Sequence, residues 1–425
     1  MSRQINVPAF DIAMCLSHAL DLVSPLVVNH HQRVAYIASC IAAEMGLTKA
    51  DISDIVIAGM LHDAGAISLQ DKLSILVFDM KSPHEHAERG FLFINTFEPF
   101  ARIADMVRHH HVPWEKGKGT EFKERPVPMG SHILHLADRI DILIDRQQPV
   151  LGQVKKICRK IRSQAGRKFI PEQVDAFLRV AAKEYFWLDV ASPSVGAMVA
   201  AKGRHGCGAL SGIETLEGMA RLISRVIDFR SRFTSVHSAG VAAIAEYLAR
   251  LSNLPENTCR QVKIAGQLHD LGKLSVPKEI LEKTAKLTVR EHQTIRAHTF
   301  HTYRVLETVK GFEHISAWAA YHHERPDGTG YPFHIKGRKY SRCCRIVTVA
   351  DVFAAITEDR PYRKGMSIRK ALGVMARMAE KGELNGTLVA KVRENYRELN
   401  AVRNAAQADA LREYGDFARI AEKER

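Results

Sequence analysis

Two stretches of this chain repeat one another in order and in spacing, and an internal repeat limits the fold before any other argument applies. NHHQRVAYIASCIAAEMGL, from Asn29, runs parallel to VHSAGVAAIAEYLARLSNL, from Val236. AGMLHDAGAIS, from Ala58, matches AGQLHDLGKLS, from Ala265. His30 to His62 is 32 residues, and so is His237 to His269. His86 then falls beside His298, His109-His110 beside His322-His323, and Ala137-Asp138 beside Ala350-Asp351. His110 to Asp138 and His323 to Asp351 are both 28 residues, and the offset between copies drifts only from 207 to 213.

Both copies carry apolar residues at helical spacing, as in Ile52, Ile55, Val56, Gly59 and Met60, and neither shows convincing strand alternation. The expectation is an all-α protein of two tandem helical domains. Residues 1–190 form the first and 214–400 the second. The Gly-, Ala- and Ser-rich stretch 191–213 is read as the linker, and the charged 401–425 as a solvated helical tail. A length of 425 residues, 46% hydrophobic and 25% charged, gives each domain enough apolar material for its own core and excludes a disordered or fibrous chain.

An excess of basic residues, +14 in formal charge, favours an anionic ligand. Seven cysteines without a C-x-x-C pair read as reduced thiols. With no apolar leader and no run near the ~20 apolar residues of a spanning helix, the expected location is the cytoplasm, away from membranes. Trp114, Trp187 and Trp318 follow no base-stacking pattern, so neither DNA nor RNA is expected as a partner.

A single His-Asp dipeptide is uninformative in a chain with 21 histidines. The ordered series His, His-Asp, His, His-His, Asp, written twice, is informative. Core packing does not explain it, because a buried imidazole needs partners that a leucine does not. Imidazole with carboxylate is the ligand chemistry of Mn, Fe, Co, Ni or Zn. So many histidines exceed the needs of one ion and suit two ions bridged by an aspartate. Consecutive residues on a helix diverge by about 100°, which would let His269 and Asp270 face neighbouring ions.

The second copy resembles the HD-GYP domain, a bacterial branch of the HD phosphohydrolase superfamily. The residues concerned are HDLGK (His269–Lys273), His298, HHERPDGTGYP (His322–Pro332), Asp351 and DRPYR (Asp359–Arg363). The first copy resembles a plain HD domain, with Ala66 in the position of Lys273 and HHHVPWEKGKG in place of the GYP string. The resemblance implies a phosphodiesterase of cyclic dinucleotide second messengers, cyclic di-GMP first and cyclic GMP-AMP as its rival. It implies metal ligands at His237, His269, Asp270, His298, His322, His323 and Asp351, holding two divalent transition metals. Iron leads, with Mn, Co or Ni as substitutes. Some relatives bind a third metal through a Glu four residues before the first His; here that residue is Phe233.

By two-metal chemistry a metal-bridging hydroxide would attack phosphorus and open the ring to a linear dinucleotide or on to mononucleotides. Asp270 would bridge the ions, Lys273 would neutralise a phosphate oxygen, Arg360 and Arg363 would grip phosphate, and Tyr331 would form a lip over the substrate. In the first copy the corresponding candidates are His30, His62, Asp63, His86, His109, His110 and Asp138, with the register inside His109-His110-His111 open by one. The other histidines, His111 among them, are read as surface or locally satisfied groups. Two other readings stand beside the hydrolase: a cyclic dinucleotide receptor or signalling scaffold, and an HD-type nucleotidase. A homodimer or a signalling-protein partner is left open.

Overall fold

A computed structural model describes residues 6–24, 27–66, 71, 77–79, 84–204, 209–228, 232–359 and 364–423. Arg360 and Arg363 lie outside these residues, as does the side chain of Phe233. The chain divides into two compact units, Pro8–Leu210 and Ser211–Arg419, with a few terminal residues assigned across the division. Each is an assembly of helices. The described strands are short: Asn6–Pro8, Glu121–Phe122, Arg125–Pro126 and Ala209–Ser211. No described helix is long and apolar enough to cross a membrane.

Five segments of the C-terminal unit carry the repeated polar residues. Helix Arg232–Leu251 holds His237, and helix Glu256–Leu268 ends at His269. Helix His298–Leu306 begins on its histidine, the single 3₁₀ turn Tyr321–His323 carries the His-His pair, and helix Arg342–Thr357 holds Asp351. Val241, Ile244, Leu248, Val262, Ile264, Leu268, Ile346, Val347, Val349 and Phe353 are buried and form the apolar scaffold. Each such side chain contributes about 1.5–3 kcal/mol of transfer free energy. That is what keeps the polar groups in a dry interior. The N-terminal unit repeats the plan with helices His30–Glu44, Lys49–Leu61, His84–Ile94, Ala101–Arg108 and Met129–Ile142.

Two glycines recur at equivalent places for a steric reason. A Cβ on Gly59 would stand 2.9 Å from Ala35 Cα, and one on Gly266 would stand 3.0 Å from Ala242 Cα. In each copy the helix leading into His-Asp thus lies backbone-close to the helix of the first histidine. After the dipeptide, a Cβ on Gly65 would meet the His86 carbonyl oxygen at 2.0 Å, and one on Gly272 the His298 carbonyl oxygen at 1.9 Å. These glycines set the separation between segments that must present their rings to one point.

Two sequence expectations change. The stretch 191–213 is not an unstructured linker throughout, because Val195–Gly203 form a helix. Val195, Val199 and Gly203 are buried at i, i+4, i+8 spacing, and Gly203 meets the Phe10 ring where a Cβ would stand 2.6 Å away. The Gly- and Ala-rich composition that suggests a loop is here what permits close helix packing. Nor does the tail begin at 401. Helix Tyr396–Lys423 runs through that point, and Arg403 on it is buried.

Gly272→Ala is expected to destabilise the chain by about 1–3 kcal/mol through overpacking against fixed backbone. Gly373→Ala, in helix Ile368–Glu380 with nothing nearer than Arg377 Nη1 at 3.9 Å, is expected to stabilise it by about 0.4–1 kcal/mol. Thermal melting of the two variants should move in opposite directions.

Candidate metal centres

In the C-terminal unit the seven sequence-predicted residues converge. His237, His269 and Asp351 form one group whose ligand atoms lie within 4.8 Å of one another; His298, His322 and His323 form another. Asp270 stands between them. Its Oδ2 is 3.2 Å from His269 Nε2, and its Oδ1 is 3.4 Å from His298 Nε2. The two oxygens of one carboxylate therefore face the two groups. The divergence does not come from helical geometry, because His269 caps the helix and the backbone turns into the 3₁₀ segment Leu271–Ser275 at Asp270.

Ring orientation is set by the main chain. His269 Nδ1 donates to the Gly266 carbonyl at 2.7 Å, His298 Nδ1 to the Ile295 carbonyl at 2.6 Å, and His322 Nδ1 to the Ala319 carbonyl at 2.7 Å. A proton on Nδ1 leaves a lone pair on Nε2 of the neutral ring, directed at the centre. His298 Nε2 and His322 Nε2 stand 3.3 Å apart with no proton to share between them. Two facing lone pairs in a buried site repel unless a cation lies between, so this donor set fits a metal ion. Burial holds His298 down at about 3 and pushes His322 well below the usual imidazole value, which keeps both rings neutral. Burial alone would raise Asp270, but His269 and Lys273 outweigh it and hold the carboxyl well below the usual range.

Lys273 donates from Nζ to Asp270 Oδ2 at 2.6 Å and is partly exposed. Tyr331 also stands at the centre. Its ring centroid is 5.0 Å from that of His323, and the Arg296 guanidinium lies 4.3 Å above it. The GYP loop is fastened by Tyr331 N–H donating to the His323 carbonyl at 3.2 Å. The buried Glu324 carboxylate accepts from Phe333 N–H (2.6 Å) and Ile335 N–H (3.2 Å). Sequence reading assigned Glu324 no role, although its place inside the HHE string marks it.

The N-terminal unit gathers His30, His62 and Asp63 in one group, and Asp63, His86, His110 and His111 in another. Asp63 again faces both ways, with Oδ2 3.3 Å from His62 Nε2 and Oδ1 3.2 Å from His86 Nε2. His62 and His110 tether Nδ1 to the Gly59 and Val107 carbonyls, repeating the pattern of His269 and His322. Both Asp63 oxygens and the Nε2 atoms of His30, His62 and His110 are buried without a hydrogen-bond partner. Orphaned acceptors of this kind cost free energy unless a cation satisfies them.

One expectation for this copy is corrected. His109 is not in the group: its Nδ1 faces the Asp105 carbonyl at 3.0 Å and its ring sits edge-on to Phe122. The pair is His110-His111, with His111 Nε2 3.0 Å from His86 Nε2. The signal was available in the spacing, since His86 to His110 and His298 to His322 are both 24 residues. The one-residue difference falls later, before the aspartate. Asp138 stands 3.5 Å from His30 Nε2, but its Oδ2 accepts from both Nε and Nη2 of the buried Arg139. The second copy has Val352 in the place of Arg139.

His111→Ala is expected to lower the transition-metal content of the chain measured by elemental analysis, and His109→Ala to leave it unchanged. Equal losses in both variants would put the pair back at His109-His110.

Comparison with known proteins agrees with this duplication. HD-domain family models match residues 27–143 and 221–388. The chain is 30% identical over 393 residues to 3'3'-cGAMP-specific phosphodiesterase 1 of Vibrio cholerae, covering 89% of this chain and 90% of that one. It is 41% identical over 148 residues to a cyclic di-GMP phosphodiesterase of Pseudomonas aeruginosa, covering 34% of this chain and 35% of that one. The crystal structure of a cyclic GMP-AMP-specific phosphodiesterase of Vibrio cholerae, V-cGAP3, shares the fold at a TM-score of 0.66 and 21% identity, over 96% of this chain and 98% of that one. With two model-matched halves and a relative aligned along nearly its whole length, the chain belongs to the HD-domain family of metal-dependent phosphodiesterases, in its tandem two-domain form.

Proposed function

We propose that the C-terminal centre hydrolyses a cyclic dinucleotide, with cyclic GMP-AMP ahead of cyclic di-GMP as substrate. The observation that carries the reaction is the Asp270 carboxylate facing two histidine groups with Lys273 bonded to it. The order of substrates reverses the one drawn from sequence. Its support is that the relative aligned over 90% of its own length is 3'3'-cGAMP-specific, whereas the Pseudomonas cyclic di-GMP enzyme aligns over 35% of its length.

On this reading His237, His269 and Asp351, and His298, His322 and His323, would hold two divalent ions, with Asp270 facing both groups. Iron is the leading candidate and Mn, Co or Ni the alternatives. When bound, such ions supply Lewis acidity toward a phosphodiester and a solvent nucleophile at neutral pH. The remaining work belongs to the side chains. The carbonyl-tethered rings hold their donor atoms inward without reorganisation. Lys273, one turn beyond Asp270 and reaching solvent, is placed to offer its ammonium to a non-bridging phosphate oxygen as charge develops. Tyr331, stiffened by Arg296 and the Glu324-held loop, forms the lip. In the net reaction the oxygen of water bonds to phosphorus, a P–O ester bond breaks, and a proton ends on the departing sugar oxygen.

The N-terminal centre is proposed to bind metal with little turnover. Ala66 leaves Asp63 without the lysine, and Arg139 takes one oxygen of Asp138. A receptor or regulatory role for that unit is the second reading, and these two replacements are what favour it.

Protein loaded with Fe(II) or Mn(II) is expected to open 3'3'-cGAMP with a higher kcat/KM than cyclic di-GMP. Lys273→Ala should lower kcat on the order of 10²–10³-fold, the scale of removing one preorganised stabilising group. His269→Ala should abolish turnover, while His62→Ala should retain it. Full activity in His269→Ala would move the reaction away from this centre.

A further inference from the structure

The two copies hold their first histidine by different means. In the N-terminal unit the Asp141 carboxylate does it. Oδ2 accepts from His30 Nδ1 at 2.8 Å, and Oδ1 accepts from Arg33 Nε at 2.7 Å. Asp141 lies one helical turn after Asp138, and Arg33 one turn after His30. The offsets that align His30 with His237 and Asp138 with Asp351 place Gly240 opposite Arg33 and Ala354 opposite Asp141. The second copy therefore has neither the carboxylate nor the guanidinium at those positions.

It takes them from elsewhere in the fold. Glu358, capping the C-terminus of helix Arg342–Thr357, is buried and brings Oε1 to 2.9 Å from His237 Nδ1, off the axis of the N–H bond. From helix Tyr396–Lys423, Gln407 Nε2 donates to Glu358 Oε2 at 3.3 Å. The buried Arg403 donates from Nη1 to Thr357 Oγ1, next to Glu358. Gly240 is what admits that helix: a Cβ there would stand 2.8 Å from Gln407 Nε2 and 3.1 Å from Arg403 Cγ. The absence of a side chain at Gly240, opposite Arg33, and the presence of the C-terminal helix are thus sterically linked.

We propose that Glu358 is a positioning residue for His237, and that the C-terminal helix, through Gln407 and Arg403, holds Glu358 in place and so forms part of the metal centre. This rests on the metal-centre reading above. A carboxylate on the far nitrogen of a ligating imidazole fixes its tautomer and raises its basicity, and removing such a partner typically costs 10–100-fold in metal affinity. Among the described residues of the N-terminal unit, the same work is done within the unit's own pair of helices.

The test uses the full chain in an Asp63→Ala background, Asp63 being common to both N-terminal groups, so that the C-terminal centre dominates, with Mn(II) or Zn(II) titrated in competition with a chromophoric chelator. Glu358→Ala is expected to weaken binding 10–100-fold and Gln407→Ala by a smaller factor, with thermal melting of the metal-free protein little changed. Adding Ala354→Asp to Glu358→Ala restores a carboxylate one turn after Asp351 and is expected to recover affinity. Parent affinity in Glu358→Ala, or a loss that merely tracks a fall in melting temperature and is not recovered by Ala354→Asp, overturns the proposal. His269→Ala separates the two levels. If that variant binds metal as its parent does, the metal-centre reading itself fails. If it loses metal while Glu358→Ala and Gln407→Ala do not, only the positioning role fails. Should Glu358→Ala not fold, Gln407→Ala and Glu358→Gln carry the same decision.

Discussion

Hydrogen bonds from imidazole Nδ1 to main-chain carbonyls three residues back hold both centres together. They recur at His62, His110, His269, His298 and His322. Each carbonyl is free to accept because its helix or turn is ending, so the orphan acceptors of helix termini become the anchors of the rings. The proton on one nitrogen fixes the lone pair on the other. At His110, His298 and His322 burial makes protonating that second nitrogen costly, and the ring stays a donor for a cation. The glycines at 59, 65, 266 and 272 serve the same end, bringing the segments close enough for the lone pairs to meet.

Around that shared frame the copies have diverged in the charges that touch the carboxylates. In the second copy Asp270 carries Lys273, a flexible cation with access to solvent. In the first, Ala66 removes it, and the cation nearby is Arg139, buried and bonded to Asp138 and to the carbonyls of Val77 and Phe78. A mobile ammonium can follow charge as it develops on a ligand; a guanidinium fixed on several acceptors cannot. On the proposed reading, that difference is what separates a centre equipped for turnover from one equipped to bind.

Much of this was legible in the residues. The helical pattern and the duplication gave the architecture, and the seven polar residues of the second copy are those the structure gathers. The reading failed where it depended on which way a side chain turns. His109 and His111 are chemically identical neighbours of His110, and only the path of the chain after helix Ala101–Arg108 selects one. Val195–Gly203 looked like a linker because small residues mark both loops and tightly packed helices. Arg360 and Arg363 fall outside the described residues, so their proposed grip on phosphate stays with the sequence argument alone.

The sequence by itself determined which chemistry is available here. Donor atoms are fixed by residue type, and a spacing repeated in one chain records that the same set must converge twice. Only the tertiary structure decided what stands behind each donor. Glu358, Gln407 and Arg403 lie between 121 and 170 residues beyond His237, whose Nδ1 atom they serve together with the Gly240 gap. No periodicity connects such residues. Burial in a common core does, because a buried ring nitrogen needs a partner and takes whichever carboxylate the packing delivers.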